Sequence, residues 1–460
     1  MLGLRAIEKL FGRYLPSPFT IAVLLTGLTI VLALVFGNSA PNTSKLAHVL
    51  ILWEKGIWNN GLLVFAYQMM LILVLGHVLV LSPPMAQLIL RLTGLVRNTA
   101  QAALLVAVST MLVSFFNWGL GLIFGALFAR KVGEYAQEKQ IPLNYPLIGA
   151  CGYSGLMVWH GGISGSAPIK VAENGHLQEL MIAAGNSNLA SVLPDTLSTS
   201  LTIFSWSNLV VFACVVLCSA ILAFYLGKKA TDTSTLTVLQ RYSFAKEATK
   251  KLKGAEKIEY SKWPALFFGG VLFCTFLLQY FPAIRSLNIT PNLLNFFMLA
   301  LAILLHGSFR SFLNAVEESI GDISGILIQF PLYFGVMGIM GGSGMIAQIS
   351  DLFVSFSTTT TLPLFTFFSA AVVNVFVPSG GGQWAVQGPL VLESALTLGV
   401  PLPKIVMALA YGDQLTNMLQ PFWALPLLGI TKLKAKEILP YTVLFMGVGM
   451  LIYVAALLLF

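Results

Sequence analysis

The stretch Ala370–Gln387 reads AAVVNVFVPSGGGQWAVQ, and it interrupts an apolar region of membrane-spanning length. Pro378 removes a backbone donor, and each of the three glycines Gly380–Gly382 makes a continued helix less favourable by roughly 1 kcal/mol. A helix that enters this stretch must therefore stop in it. Inside a bilayer, a stopped helix is tolerated only where its backbone lines a cavity or is buried in protein.

Similar interruptions recur in the chain at one spacing. An Asn-Trp-Gly break at Asn117 and a Trp-His-Gly-Gly break at His160 lie in the first half, and breaks at Asn374 and Asn417 lie in the second. Asn117 precedes Asn374 by 257 positions, and His160 precedes Asn417 by the same 257 positions. Two halves that stop their helices at matching places are typical of secondary transporters built from inverted repeats.

Composition places the chain in a lipid bilayer. Of its 460 residues 57% are hydrophobic and 10% are charged, whereas soluble domains carry about 25% charged residues. The formal net charge of +8 comes from basic residues beside the spans, so we expect no nucleic-acid partner. Several apolar segments approach the roughly 20 residues that a membrane-spanning helix needs: Phe19–Phe36, Leu62–Leu81, Leu201–Leu226, Trp263–Phe281 and Leu439–Phe460.

Neither the cysteines nor the other reactive residues of this sequence form a recognisable metal or catalytic motif. Its four cysteines lie in apolar segments, where we expect buried thiols with neither a disulfide nor a bound metal: Cys151, Cys214, Cys218 and Cys274. The chain offers no nucleophile paired with a base at a recognisable spacing. We therefore do not expect an enzyme.

Basic residues orient the predicted spans. Those near the N-terminus place it in the cytoplasm, ahead of a first span that is retained rather than cleaved as a signal peptide. The loops around Arg91 and Arg130 should both be cytoplasmic, yet only the 31 residues of Thr99–Ala129 separate them. Two crossings need about 40 residues. We therefore predict a re-entrant hairpin with its tip at Asn117.

The predicted fold is an all-α polytopic membrane protein with two inverted repeats, about nine full spans and two re-entrant hairpins. A basic cytoplasmic linker and one connecting transmembrane helix reverse the second repeat relative to the first. The boundaries are residues 1–226 for the first repeat (hairpin 99–129, interrupted span 146–168), 227–262 for the linker, 263–281 for the connecting helix and 282–460 for the second repeat (hairpin 362–398, interrupted span 404–430).

Residues at the four breaks are the candidate ligands. Stopped helices leave N–H and C=O groups without partners, which a substrate carboxylate and a cation would supply. The predicted substrate contacts are Asn117, Trp118, Gly119, His160, Gly161, Gly162, Ser164, Ser166, Ser379, Gly380, Gly381, Gly382, Gln383, Asn417 and Gln420. The coupling ion, sodium in preference to a proton, is expected at Asn117, Asn374, Ser379, Asp413 and Asn417. We expect no other metal and no cofactor.

Structural roles for the same residues stay open at this point. The asparagines can cap their own helices, and the glycines between 152 and 166 can serve close helix packing instead of unwinding. His160 suits a proton carrier, a donor to a carboxylate or a core histidine bonded to a neighbouring helix. Asp413 is either a functional intramembrane acid or a residue near the outer interface. The absence of arginine from both interrupted spans favours a monocarboxylate substrate over a dicarboxylate.

Five longer motifs, in order along nearly the whole chain, resemble the short-chain fatty acid transporter family (AtoE-like) of bacterial inner membranes, within the ion-transporter superfamily. They are RYLPSPFTIAVLLT at Arg13–Thr26, NWGLGLIFGALFAR at Asn117–Arg130, WHGGISGS at Trp159–Ser166, VPSGGGQWAVQGP at Val377–Pro389 and QPFWALP at Gln420–Pro426. The resemblance implies transport of butyrate, acetoacetate and similar monocarboxylates. It also implies cation coupling and a homodimer in which a transport domain moves like an elevator. A dicarboxylate carrier and an anion channel are the alternatives.

Overall fold

The computed structural model describes residues 18–38, 44–230, 254, 256–345, 348, 352, 355–376 and 380–460. These residues form helices and connecting turns, with no strand among them. The prediction of an all-α fold is therefore confirmed for the described residues, while the inverted repeat and the number of spans stay predictions. Ser379, the basic N-terminus and most of the predicted linker lie outside the described residues.

The first half contains the earlier of the two chain reversals. Its helices are α1 (Pro18–Phe36), α2 (Lys45–Ile57), α3 (Asn60–Val80), α4 (Pro83–Thr93), α5 (Thr99–Phe116), α6 (Trp118–Glu138), α7 (Tyr145–Tyr153), α8 (Ser166–Lys170), α9 (His176–Ala183), α10 (Ser187–Ala190) and α11 (Trp206–Lys229). A 3-10 turn over Ser154–Met157 follows α7, and residues 158–165 are not helical. The predicted span 146–168 is thus interrupted in its middle.

The second half repeats this kind of interruption. Its helices are α12 (Glu256–Tyr260), α13 (Lys262–Arg285), α14 (Pro291–His306), α15 (Phe309–Ser319), α16 (Ser324–Gly342), α17 (Leu362–Phe376), α18 (Gly380–Leu398), α19 (Leu402–Thr416), α20 (Pro421–Thr431) and α21 (Ala435–Leu459). A 3-10 turn over Asn417–Leu419 separates α19 from α20. Pro421 starts α20 because a proline lacks the donor that a helix interior needs but a first turn does not.

Burial distinguishes helices that run through the protein from those at its edge. Helices α3, α5, α11, α13 and α21 are long and apolar enough to cross a membrane, by length and composition. The apolar window of α3 is 72% buried and that of α13 is 11% buried. On α13, Trp263 and Leu278 are 80% and 85% exposed. Such an apolar outer face suits contact with lipid.

The cysteine prediction is wrong for three of the four thiols. Cys151 is buried, but Cys214 and Cys218 on α11 and Cys274 on α13 are exposed. Both faces of a membrane helix can be apolar, so an apolar sequence does not tell a lipid-facing position from a core position.

The first hairpin packs through small residues. The chain reverses at Asn117, and Gly121 and Gly125 on α6 then lie against Ser114 and Thr110 on α5. A Cβ atom at Gly125 would come within 2.0 Å of the Gly152 carbonyl oxygen. These contacts show that α5 and α6 run antiparallel and that α6 also packs closely on α7.

The second hairpin is held by two glutamines. On α18, Gln383 Nε2 donates to the Ala370 carbonyl at 2.9 Å and Gln387 Nε2 donates to Ser369 Oγ at 2.8 Å, so α18 returns along α17. Residues 377–379, between the two helices, lie outside the described part. The side of the membrane from which each hairpin enters stays a prediction.

The prediction that Arg130 and Lys131 lie in a loop is wrong. Helix α6 continues to Glu138, and Arg130 and Lys131, expected in a loop, lie inside it. Both bind Glu134, at 2.9 and 2.8 Å. The pairing allows Arg130 to be buried, with only 5% of its surface exposed. Basic residues without an acidic partner are rarely buried.

We expect Gly125→Ala to destabilise the protein, since the added methyl group must displace backbone on α7; overpacking typically costs about 1–3 kcal/mol. Gly270→Ala, on α13 with open space around its Cβ, should be neutral or slightly stabilising because alanine favours helix. Melting temperatures in detergent measure both variants. A Gly125→Ala protein as stable as Gly270→Ala would contradict the close α6–α7 contact.

Candidate functional site

Asn117 builds the tip of the first hairpin. Its Oδ1 accepts from the Leu120 N–H at 2.7 Å, so it caps α6. Its Nδ2 donates to the Ile72 carbonyl on α3 at 3.3 Å. The neighbouring Trp118 N–H donates to Ser164 Oγ at 2.9 Å, which fixes the tip to the non-helical segment 158–165. Both ends of the Asn117 amide thus serve the protein's own backbone.

Side chains from other helices satisfy the backbone of segment 158–165. Gln414 Oε1, on α19, accepts from the N–H groups of His160 and Gly161 at 2.8 and 3.0 Å. Asn208 Nδ2, on α11, donates to the Gly161 carbonyl at 2.9 Å. A buried polar group without a partner costs about 1–3 kcal/mol. The expectation that a ligand must fill this role is therefore wrong for these groups, because protein amides fill it.

His160 and Asp413 form a buried pair between the halves. His160 Nδ1 lies 2.5 Å from Asp413 Oδ2, and both residues are fully buried. The Ala167 N–H donates to His160 Nε2 at 3.1 Å, so Nε2 carries no proton and Nδ1 is the donor to Asp413. His160 is thus bonded on both sides of its ring, and Asp413 lies in the protein interior rather than at an outer interface.

Asn374 gathers oxygens from the second interruption. Its Nδ2 lies 2.5 Å from the Asp413 carbonyl oxygen, 3.0 Å from Thr416 Oγ1 and 2.8 Å from Asn417 Oδ1. An amide nitrogen has two hydrogens, so only two of these oxygens can each take one. Gln420 Nε2 donates to the Asn374 carbonyl at 2.5 Å. The hairpin helix α17 is thereby joined to both sides of the break between α19 and α20.

Four buried side-chain oxygens in this second-half region lack a hydrogen-bond partner among the described residues. They are Asn374 Oδ1, Gln383 Oε1, Asp413 Oδ1 and Gln420 Oε1. None of the four residues is more than 6% exposed. Buried acceptors without donors are unfavourable in the empty protein, and a cation or a proton would compensate them.

A narrow cavity lies where the breaks of the two halves meet. It leaves about 20 Å³ for the centre of a water molecule, which is room for about one water. Most of its wall is apolar. The lining residues come from both hairpins, both interrupted helices, α3 and α16: Met69, Trp118, Leu156, Trp159, Ser166, Phe330, Gly380, Gly381, Asn417 and Trp423.

Three indole rings form one side of this cavity. The Trp118 ring centroid lies 5.7 Å from that of Trp159 and 5.2 Å from that of Trp423. The Nε1–H groups of Trp118 and Trp159 find no acceptor among the described residues, although each residue is only 5% exposed. Trp159 also stacks on the His160 ring at 4.5 Å.

The predicted substrate residues divide into cavity-lining and supporting positions. Trp118, Ser166, Gly380, Gly381 and Asn417 line the cavity. A Cβ atom at Gly380 would come within 2.6 Å of the Trp159 ring, so a glycine is needed for this approach. The remaining described residues lie around the cavity without appearing in its lining: Asn117, Gly119, His160, Gly161, Gly162, Ser164, Gly382, Gln383 and Gln420. Ser379 lies outside the described residues.

Comparison with known proteins identifies the chain's relatives. The sequence model of the family described as "Short chain fatty acid transporter" matches residues 4–460. The chain belongs to the short-chain fatty acid transporter family. This confirms the resemblance drawn from the motifs, and it makes the protein a membrane transporter rather than an enzyme.

Two relatives of this transporter, from Escherichia coli and Haemophilus influenzae, carry the provisional name of short-chain fatty acid transporter. The first is 35% identical over 463 residues, covering 99% of each chain. The second is 35% identical over 441 residues, covering 95% of this chain and 94% of its own.

The solved structures that share the fold include two transport proteins. Neisseria gonorrhoeae MtrF, of a class of antimetabolite efflux pumps, has TM-score 0.58 at 16% identity and covers 98% of this chain and 96% of its own. The Alcanivorax borkumensis YdaH transporter has TM-score 0.58 at 17% identity, with coverages of 95% and 98%.

Sequence reasoning missed two of the three cavity indoles. Trp159 and Trp423 were not among the predicted ligands, since tryptophan in a membrane protein is ordinarily placed at the bilayer interface. A usable signal was present, because Trp159 adjoins His160 and Trp423 follows Pro421 by two positions. An indole beside a helix break deep in an apolar segment has no interface to reach.

We expect Gln414→Leu to lower the melting temperature of the transporter, because two backbone N–H groups lose their acceptor at about 1–3 kcal/mol each. Gln101→Leu, at the partly exposed start of α5, is the matched control and should change stability little. Thermal unfolding of both purified variants checks this. Equal stability of the two would show that Gln414 does not support segment 158–165.

Proposed function

We propose that this transporter is a cation-coupled carrier of short-chain monocarboxylates, such as butyrate and acetoacetate, across the bacterial inner membrane. One observation carries the proposal: the cavity is lined at once by both hairpins and both interrupted helices. A site built by discontinuous helices of two repeats can open to either side as those elements move together. The names of the two bacterial relatives point to the same substrate class.

The cavity wall favours a small acid with one charge. Met69, Leu156 and Phe330 offer apolar surface to a short alkyl chain, worth about 0.8 kcal/mol for each buried CH₂. No basic side chain belongs to the lining of the cavity in the described part of the chain. A dicarboxylate would bring a second buried charge without a partner, at a cost of several kcal/mol. The proposal is therefore for monocarboxylates.

The oxygens without partners support a cation site beside the cavity. The proposed ligands are Asp413 Oδ1 and Asn374 Oδ1, of which Asp413 Oδ1 is the stronger acceptor. Carbonyl and amide oxygens suit Na⁺, our preferred coupling ion; a proton on Asp413 Oδ1 is the alternative. Asn117 and Asn417 are no longer proposed as ion ligands, because the amide of each is bonded at both ends. Trp159, in the cavity wall, stacks on the His160 ring, and His160 donates to Asp413. The cavity and the proposed cation site are therefore connected through His160.

The elevator movement and the dimer remain part of the proposal. Where the first hairpin meets α3, glycines bring the two backbones together: Gly119 lies against Leu73, and Gly76 lies against Asn117. A contact with few protruding side chains suits sliding of the hairpins past α3. A homodimer with cytoplasmic N-termini follows the superfamily pattern and the basic N-terminal residues.

In proteoliposomes, we expect an inward Na⁺ gradient to drive accumulation of labelled butyrate. We expect Asp413→Asn to raise the half-saturating Na⁺ concentration by about tenfold or more, since a charge in the cation site is lost. Asp195→Asn, in an exposed loop, is the matched control and should behave as wild type. Protein-free vesicles correct for passive diffusion of the protonated acid.

The alternatives give different results in the same vesicles. Accumulation that follows a proton gradient and ignores sodium would replace Na⁺ by H⁺ as the coupling ion. Uptake indifferent to both gradients would end the coupling proposal. Voltage-driven flux without counterflow exchange would indicate an anion channel instead of a carrier.

A further inference from the structure

We propose that the indole N–H groups of Trp118 and Trp159 bind the two oxygens of the substrate carboxylate. The inference rests on the proposed function and names the groups that recognise the anion. Both rings line the central cavity, and both Nε1–H groups are buried without an acceptor among the described residues. An indole N–H can only donate, so a ligand that compensates both must accept two hydrogen bonds.

A carboxylate fits this demand better than other small polar groups. It offers two oxygens and no donor, and hydrogen bonds to an ionised acceptor are about twice as strong as neutral ones. The two ring centroids lie 5.7 Å apart, close enough for both indoles to reach one carboxylate. A neutral amide or alcohol would have to accept both bonds on one uncharged oxygen, and it would add a donor that has no use at the indoles.

The start of α18 adds positive potential to the same place. Gly380 and Gly381 line the cavity and form the first turn of this 19-residue helix. First-turn N–H groups point out of a helix N-terminus, which carries roughly half a positive charge. A monoanion is thus stabilised by dipoles and neutral donors alone. This explains how a cavity without lysine or arginine in its described lining can hold an anion.

Substrate binding at the two indoles also affects the proposed cation site. With about 20 Å³ open to a water centre, the cavity must widen before it admits butyrate, and Trp159 is one of the side chains in its wall. Trp159 stacks on His160, and His160 donates to Asp413. Displacement of Trp159 by the carboxylate therefore moves the group that orients Asp413.

Counterflow of labelled butyrate by purified protein in proteoliposomes tests the inference. We expect Trp118→Phe and Trp159→Phe each to raise the KM for butyrate by about tenfold to a hundredfold, the range of a charge-assisted hydrogen bond. Trp53→Phe is the matched control, because Trp53 also has a buried N–H without a partner but lies on α2, outside the cavity lining. Its KM should stay within about twofold of wild type, well below the effect of a lost bond.

A second measurement separates the N–H group from the shape of the ring. Competition by butyramide, a neutral analogue of the same length, should weaken by no more than about twofold in the Phe variants. Trp159→His, which keeps a ring N–H, should recover part of the affinity for butyrate. Equal weakening of butyrate and butyramide would overturn the inference.

The two levels of proposal fail differently. Wild-type counterflow with an unchanged KM in both Phe variants would overturn the indole assignment and leave the carrier proposal standing. Absence of butyrate counterflow in the wild type would overturn the carrier proposal and the indole assignment with it. Each position is assayed independently, and melting temperatures confirm that the compared variants are folded.

Discussion

Backbone groups released where a helix stops must find partners within the protein, since hydrocarbon offers none. Here each half supplies partners for the other. Gln414 of the second half accepts from two N–H groups of the first, across 254 and 253 positions. In return, the Tyr153 hydroxyl lies 2.9 Å from the Asn417 carbonyl and 3.1 Å from the Gln420 carbonyl. Neither interruption is satisfied by its own half alone, so the two breaks stabilise each other.

Because the two halves satisfy each other's backbone groups, mainly side-chain groups are left to bind ligands. The buried side-chain atoms without partners near the breaks include indole N–H donors at Trp118 and Trp159 and oxygen acceptors at Asn374 and Asp413. Donors compensate an anion and acceptors compensate a cation. The separation suits a carrier that moves a monocarboxylate together with a cation, and the stacked His160 ring lies between the two sets.

Local chemistry was enough to predict where helices stop. Asn117, Asn417 and Pro378 mark their breaks through capping and proline effects that act within a few residues. The glycines Gly380–Gly382 were expected to end a helix, but they form the first turn of α18. The partners of those breaks could not be predicted, because Gln414 has no local feature that assigns it to segment 158–165. The same limit explains Asn117, whose amide serves α3 and α6. Arg130 was predicted in a loop because its pairing with Glu134, four residues later on the same helix, was not taken into account.

We propose that the cavity between the four breaks holds the substrate. Cryo-electron microscopy of the protein in lipid nanodiscs, with butyrate and NaCl, would locate the bound acid. We expect a widened cavity with density for a small acid, its carboxylate against Trp118 and Trp159 and its chain toward Met69 and Phe330. Butyrate bound elsewhere, with these rings still in contact, would contradict it.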